Sequence, residues 1–299
     1  MAQSYPDYKI TFFTRPAFLE HLPDHPGIEK VGLDVDDAYA SPVSLFLFWW
    51  GWLRSTYPEA WVDAHAHLRS MSGTWLAARF GARVGKLEKH RALRKAFLAK
   101  NVQKLPLVQE SYANAFAQAG FPIEWPIALP NASRPLSSTL LLAPFAAHES
   151  KRIPLETAYA LAAWWQGLGG TVVLMGHFSE IDGWNGPNVL FARPDQEASL
   201  WAEAAVAVVM DSANQHLAAL HGTPSVTVWM GTAPEAGFVP VHPGEQEHVQ
   251  SSGLSCSPCS IYGTSKCSRG DFACHQIPLA QIQKAIAKVA RTDLPLHAL

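Results

Sequence analysis

The sequence predicts an α/β protein built as two Rossmann-like domains facing a cleft, and three observations carry that prediction. Short runs rich in β-branched and aromatic residues alternate with helix-length stretches along most of the 299 residues, which is the spacing of βαβ units. Some of these runs, such as TVVLM and VAVVM, are apolar throughout, as strands covered on both sheet faces are. A stretch at 121–137, FPIEWPIALPNASRPLS, then interrupts the alternation with four prolines in 17 residues, the composition of a semi-rigid linker.

In the first half, strands are expected at 9–14 (KITFFT), 28–35 (IEKVGLDV), 60–65 (AWVDAH) and 82–87 (ARVGKL). Helices are expected at 70–80, 89–100 and 106–120, the last with Ala and Leu at helical spacing and Gly120 as its stop. In the second half the expected order is strand 139–144, helix 154–168, strands 171–176 and 188–192, helix 197–205, strand 206–211, helix 213–221 and strand 225–231. The domains are accordingly placed at 1–128 and 138–299, joined by a linker at 129–137, with a four-cysteine insert at 256–274.

Composition narrows the function classes. Hydrophobic residues are 48% and charged residues 16% of the chain, which argues against extensive disorder. Lys plus Arg number 23 against 25 for Asp plus Glu, a net charge of −2, so no cationic field points to a nucleic-acid partner. The longest apolar run, 44–53 (SLFLFWWGWL), has ten residues where a membrane-spanning helix needs roughly 20. Its aromatics suit either a core helix or contact with a lipid surface. The N-terminal MAQSYPDYKITFF lacks the pattern of an export signal, so a cytoplasmic address is expected.

In an open parallel sheet, ligands sit beyond the C-terminal strand ends, where helix N-termini favour anions. Three such turns stand out. FAAHESKRIP puts His148, Ser150 and Lys151 ahead of Pro154, as a phosphate loop or as an ordinary polar loop. Asp211 and Ser212 precede a helix carrying His216, as a ligand site or as a plain cap. Asp63, His65, His67, Arg69 and Ser70 concentrate at the end of a strand, where a general base, an acceptor anchor and a structural cap are all chemically open. The four cysteines, Cys256, Cys259, Cys267 and Cys274, have the spacing C-x2-C-x7-C-x6-C, which predicts one closed structural zinc site or else inert thiols.

With these segments in order, the chain resembles the family 9 glycosyltransferases, the ADP-heptose:lipopolysaccharide heptosyltransferases of GT-B fold. The most specific part is 211–240, DSANQHLAALHGTPSVTVWMGTAPEAGFVP, similar to the family's D-[ST]-G-x-x-H-x-A-A signature and its continuation. Asp211, Ser212, His216, Ala218, Ala219, Thr223, Pro224, Thr232 and Pro234 match, while Ala213 and Met230 stand at glycine positions. SKRIP from Ser150 resembles the T-K-x-x-P phosphate loop, and Asp63, His65, Arg69 and Ser70 match D-x-H-x-x-x-R-S.

The resemblance implies inverting transfer of a heptose or related sugar from an ADP-sugar to a lipid-linked saccharide of the lipopolysaccharide core. It implies no cofactor for catalysis, and a cytoplasmic protein that sits peripherally at the inner face of the membrane. By it, Ser150, Lys151, Glu180, Asp211, Ser212 and His216 hold the donor, His65, Arg69 and Ser70 lie on the acceptor side, and the first domain is the acceptor domain. Family members open with a strand and an S-x-G-D loop whose aspartate is the general base. Here SYPDYKITFF begins at residue 4, so the first domain is expected to lack its usual first strand, as in an N-terminally truncated chain. Asp63 or His65 is then the candidate base. The alternative is a truncated or non-catalytic homologue that binds a nucleotide sugar without transferring it.

Overall fold

The computed structural model describes residues 1–296 apart from 20, 21, 23, 125–133, 194–195 and 242–243. They form two compact units, Met1–His90 with Val108–Pro126, and Arg91–Leu107 with Ile127–Leu299.

The first unit holds β1 (Ile10–Thr14), β2 (Ile28–Gly32), α1 (Pro42–Thr56), β3 (Ala60–Asp63), α2 (Leu68–Arg79) and β4 (Arg83–Lys86). Strand β1 pairs in parallel with β2, and β3 with β4, as two separate two-stranded sheets. Helix α1 joins their packing. Phe13 of β1 meets the rings of Trp49 and Trp52 at 5.0 Å each, and Trp61 of β3 meets the same two rings at 5.0 and 6.2 Å. The helix starts where Ser41 Oγ accepts the Ser44 amide at 3.0 Å, with proline in its first turn. It buries Leu45, Trp49 and Leu53 at a spacing of four.

Helix α3 (Arg91–Leu98) and the segment to Leu107 belong to the second unit, although the sequence reading assigns them to the first domain. The cause is apolar packing: Phe97 and Leu105 are buried against Ala236 and Ile261. Helix α4 (Val108–Gln118) returns to the first unit and lies so close over Gly85 of β4 that a Cβ there would stand 1.7 Å from the Ala115 carbonyl oxygen.

The second unit continues with β5 (Thr139–Ala143), α5 (Leu155–Gly167), β6 (Thr171–Leu174), α6 (Phe178–Ile181), β7 (Leu190–Phe191), α7 (Glu197–Glu203), β8 (Val206–Met210), α8 (Ala213–His221), β9 (Ser225–Trp229), β10 (Gln246–Gln250) and α9 (Leu279–Val289). Its six strands are all parallel, in the order β10-β9-β8-β5-β6-β7. Alternate residues explain the wholly apolar strands. Leu140, Leu142, Val206 and Val208 face α5 and α9, whereas Leu141, Ala143, Ala207 and Val209 face α7 and α8. Residues 129–133 of the expected linker lie outside the described residues. Beyond them Arg134 reaches the carbonyls of His221 and Trp201 at 2.8 and 2.7 Å, so its guanidinium sits at the C-terminal end of α8.

Candidate functional site

The strand order reverses at β5: β6 and β7 follow on one side, β8 to β10 on the other. Ligands of open α/β sheets bind at such a switch, beyond the carboxyl ends of the strands. Turns leaving β5 and β8 bring two of the expected donor residues together there. Lys151 Nζ lies 3.0 Å from Asp211 Oδ2, and both side chains are largely buried. Gln215, one helical turn beyond Asp211, donates to its Oδ1 at 2.9 Å.

The contact with Lys151 is an ion pair without hydrogen-bond alignment. Asp211 Oδ2, Gln215 Oε1 and Thr232 Oγ1 are buried polar atoms with no hydrogen-bond partner among the described residues. Each such atom costs about 1–3 kcal/mol when left unmet. Asp211 directly follows β8 and Thr232 lies in the segment beyond β9, so these unmet atoms belong to the segments that leave neighbouring strands.

Ser150 and Lys151 lie in a short 3-10 turn at Glu149–Lys151. Ser150 is buried, its Oγ accepts the Thr264 amide at 2.8 Å, and its own amide donates to the Thr264 carbonyl at 3.0 Å. Its carbonyl accepts the Gly231 amide at 2.8 Å. Ser150 therefore braces the turn from two sides. Close approach explains both glycines: a Cβ on Gly231 would stand 2.8 Å from Ser150 Cβ, and one on Gly263, at φ +97°, would stand 2.5 Å from Lys151 Cδ.

The next residue, Arg152, extends the charge pattern. Its Nη2 donates to Glu180 Oε1 at 2.9 Å and its Nε to the Ala146 carbonyl at 2.6 Å. Glu180 Oε2 accepts the His177 amide at 3.2 Å. Two adjacent cations of one turn thus hold carboxylates from the turn after β8 and from α6, the helix that follows β6. Ser212 Oγ caps α8 by accepting the Asn214 amide at 3.4 Å. His216 keeps exposed surface, yet enough protein surrounds it to strip part of its hydration. That loss and the nearby Lys151 hold its pKa below the usual value, against the pull of Asp211.

In the first unit, Asp63 is buried and saturated. Oδ1 accepts the amides of His65 and Ala66 at 3.1 and 2.7 Å, and Oδ2 accepts the hydroxyls of Ser70 and Thr74 at 2.9 and 3.0 Å. A carboxylate offers about four acceptor positions, so none is left for a substrate hydroxyl. Ser70 also completes a capping box with His67. Arg69 is drawn to Asp36 at 3.1 Å, and the His65 and His67 rings meet edge to face with centroids 5.4 Å apart. The cap among the alternatives is what this geometry builds.

No protein-family model and no curated protein matches the chain. Solved structures do match. A family 9 glycosyl transferase from Veillonella parvula DSM 2008 superposes with a TM-score of 0.68 at 15% identity, over 94% of this chain and 88% of that one. The fold is that of the family 9 glycosyltransferases. E. coli heptosyltransferase WaaC with ADP gives a TM-score of 0.60 at 16% identity, over 87% of this chain and 89% of its own. E. coli ADP-heptose lps heptosyltransferase II gives 0.57 at 16%, over 96% and 92%.

On this glycosyltransferase fold the cysteine segment departs from expectation. Among the described residues no group of three or more His, Cys, Asp or Glu is arranged to hold a metal ion, so the closed four-thiolate zinc site has no support in the structure. The four thiols nevertheless lie near enough to interact, and after burial, Cys259, Cys267 and Cys256 each add to the rise of the Cys274 pKa. Cys274 is buried in the core, which pushes its pKa up to about 11, and the Cys259 thiol lies 3.5 Å from the Gly231 carbonyl. Burial pushes Cys267 up as well, but amides of the loop 269–272 outweigh it and hold its pKa below the usual value. The segment instead supplies Gly263 and Thr264 to the turn that carries Lys151. Sequence reading missed these two, and Gln215 and Arg152 with them. Gln215 was legible one helical turn beyond Asp211, whereas Thr264 is 114 residues from Ser150 and has no local signal.

Proposed function

We propose that the chain is an inverting glycosyltransferase that takes an ADP-sugar, ADP-heptose or a close relative, at the β5/β8 switch. Its acceptor is a lipid-linked saccharide of the lipopolysaccharide core, met by a cytoplasmic protein at the inner face of the membrane. The observation that carries this reading is the buried Lys151–Asp211 pair among unmet polar atoms in the segments that leave β8 and β9. A diphosphate entering there gives the ammonium a second anionic partner beside Asp211 and offers acceptors to the Thr232 hydroxyl. The choice of nucleotide is supported by the WaaC structures, one with ADP and one with ADP-2-deoxy-2-fluoro heptose.

In the reaction, an acceptor oxygen forms a bond to the anomeric carbon as the bond from that carbon to the diphosphate oxygen breaks. The electron pair leaves on the diphosphate, where the charge of Lys151 stabilises it. Glu180, oriented by Arg152, and neutral His216 would hydrogen-bond the ribose hydroxyls. The acceptor proton needs a base. With Asp63 saturated, His65 is the candidate left to take that proton, and a homologue that binds the nucleotide sugar without transferring it is the second reading.

Titration calorimetry with ADP tests the donor site. Lys151→Ala is expected to weaken binding at least about tenfold, or about 1.4 kcal/mol, and equal affinity in a folded variant overturns the assignment. Heptose transfer from ADP-heptose to a Kdo-lipid A acceptor separates the two readings. Turnover selects the transferase, and ADP binding without turnover selects the binder.

A further inference from the structure

The first unit carries an apolar surface that the donor site does not use. Opposite its buried stripe, α1 exposes Val43, Leu47 and Trp50, followed by Arg54, at intervals of four, three and four residues. Helix α2 exposes Leu68, Met71 and Trp75, followed by Arg79. The two stripes share one pattern. In each, tryptophan stands seven residues and arginine eleven residues after the first apolar position. These are outward residues of packed helices: Leu47 and Leu68 are 61% and 78% exposed, Trp50 and Trp75 43% and 58%.

The stripes belong to one face. Both helices bury their other sides in the same core, Leu45, Trp49 and Leu53 from α1 with Leu76 and Ala77 from α2, so their outer sides both turn away from it. Phe80 at the end of α2 bridges them, its ring 5.4 Å from Trp50 and 6.0 Å from Tyr57. Exposed apolar patches of this kind mark interaction sites.

Charge identifies the occupant. Neither Pro42–Thr56 nor Leu68–Arg79 contains an aspartate or glutamate, and their charged residues are Arg54, Arg69 and Arg79. Of the carboxylates that reach α2, Asp36 is tied to Arg15 and Arg69, and Asp63 is buried and bonded to Ser70 and Thr74. Apolar and tryptophan side chains on one face, with arginines and no carboxylate on the same helices, are the composition of a surface that lies in the bilayer interface against anionic headgroups. No helix of the described residues is long and apolar enough to cross a membrane, so burial is confined to the exposed stripes.

We infer that the α1–α2 face docks the protein on the surface of an anionic lipid bilayer. The inference extends the proposal of a membrane-held acceptor, but its basis is the geometry of the first unit alone. Cosedimentation with phosphatidylcholine vesicles, with and without phosphatidylglycerol, tests it on the full chain. The protein is expected to bind the phosphatidylglycerol vesicles about tenfold or more tightly than the neutral ones, and to release as salt is raised. Trp50→Ser with Trp75→Ser should abolish binding, and Arg54→Gln with Arg79→Gln should abolish the preference for anionic lipid, each with an unchanged circular-dichroism spectrum and ADP affinity. Failure of the unaltered protein to bind, or vesicle binding that survives both tryptophan changes, overturns the inference. So does a dimer, seen by sedimentation velocity, that the tryptophan changes dissolve, since it assigns the face to a second copy. Vesicle binding by a protein with no affinity for ADP would leave this inference standing and remove the donor site instead.

Discussion

Lys151 Nζ and Asp211 Oδ2 stand 3.0 Å apart in a largely buried pair formed by residues 60 positions apart in the chain. Their strands, β5 and β8, are hydrogen-bonded neighbours, so the sheet itself delivers the pair. Removing one partner strands the other away from water. Lys151→Met is expected to destabilise the fold by about 3 kcal/mol, with Gln215 still on Asp211 Oδ1. Adding Asp211→Asn to that variant should recover most of the loss. A double-mutant cycle in urea should give a coupling of about 1–3 kcal/mol, and additive effects would show that the two charges do not interact.

Asp63→Asn separates a structural carboxylate from a catalytic one. The carboxylate ties together two amides and two hydroxyls, and the amide replaces one acceptor oxygen by a donor. The expected outcome is a stability loss of about 1–3 kcal/mol, with whatever activity the parent has retained by the folded fraction. A base would behave in the opposite way: undiminished stability with turnover lost through kcat. Chemical denaturation and a transfer assay on the same preparation decide between them.

How much of this was legible in the sequence varies with range. VAVVM became β8 at Val206–Met210, and Asp211 and Ser212 fell at the turn where they were expected, because an apolar run ending in a capping residue is a local signal. Helix α9 had such a signal too, with Leu279, Ile282, Ile286 and Val289 on one face after Pro278, and it was passed over. The run 44–53 forms a helix with a core side and an outer side: Trp49 is in the core and Trp50 is exposed. The bond between Thr264 and Ser150, and the packing of Phe97 on the second unit, depend on contacts across more than a hundred residues. Periodicity and capping do not encode such contacts.

The cysteines should differ in reactivity. Cys274 is buried with a pKa pushed up to about 11, Cys259 is also raised, and Cys267 is held below the usual value by loop amides. Since the thiolate is the nucleophile, iodoacetamide at neutral pH is expected to modify Cys267 first and Cys274 last, the latter only after unfolding. Peptide mass spectrometry over time reads the order. Protection of all four together, released by a chelator, would restore the closed metal site that the geometry argues against.

Acid should destabilise the fold through histidine. His65, His216, His221, His248 and His275 all have pKa values below the ordinary 6.5, with burial the leading cause in each. The unfolded chain therefore binds more protons than the folded one as pH falls through 6.5 toward the lower folded values. Stability is full above that window and lost progressively within it. The urea midpoint is expected to fall between pH 7.0 and pH 5.5, with a slope that His216→Gln and His275→Gln each reduce. The carboxylates held by Lys30 and Arg269 have lowered pKa values, but they lose their charge well below pH 5.5 and leave this window to the histidines. A midpoint that stays level or rises on acidification would mean that these imidazoles gain more from nearby carboxylates than they lose by burial.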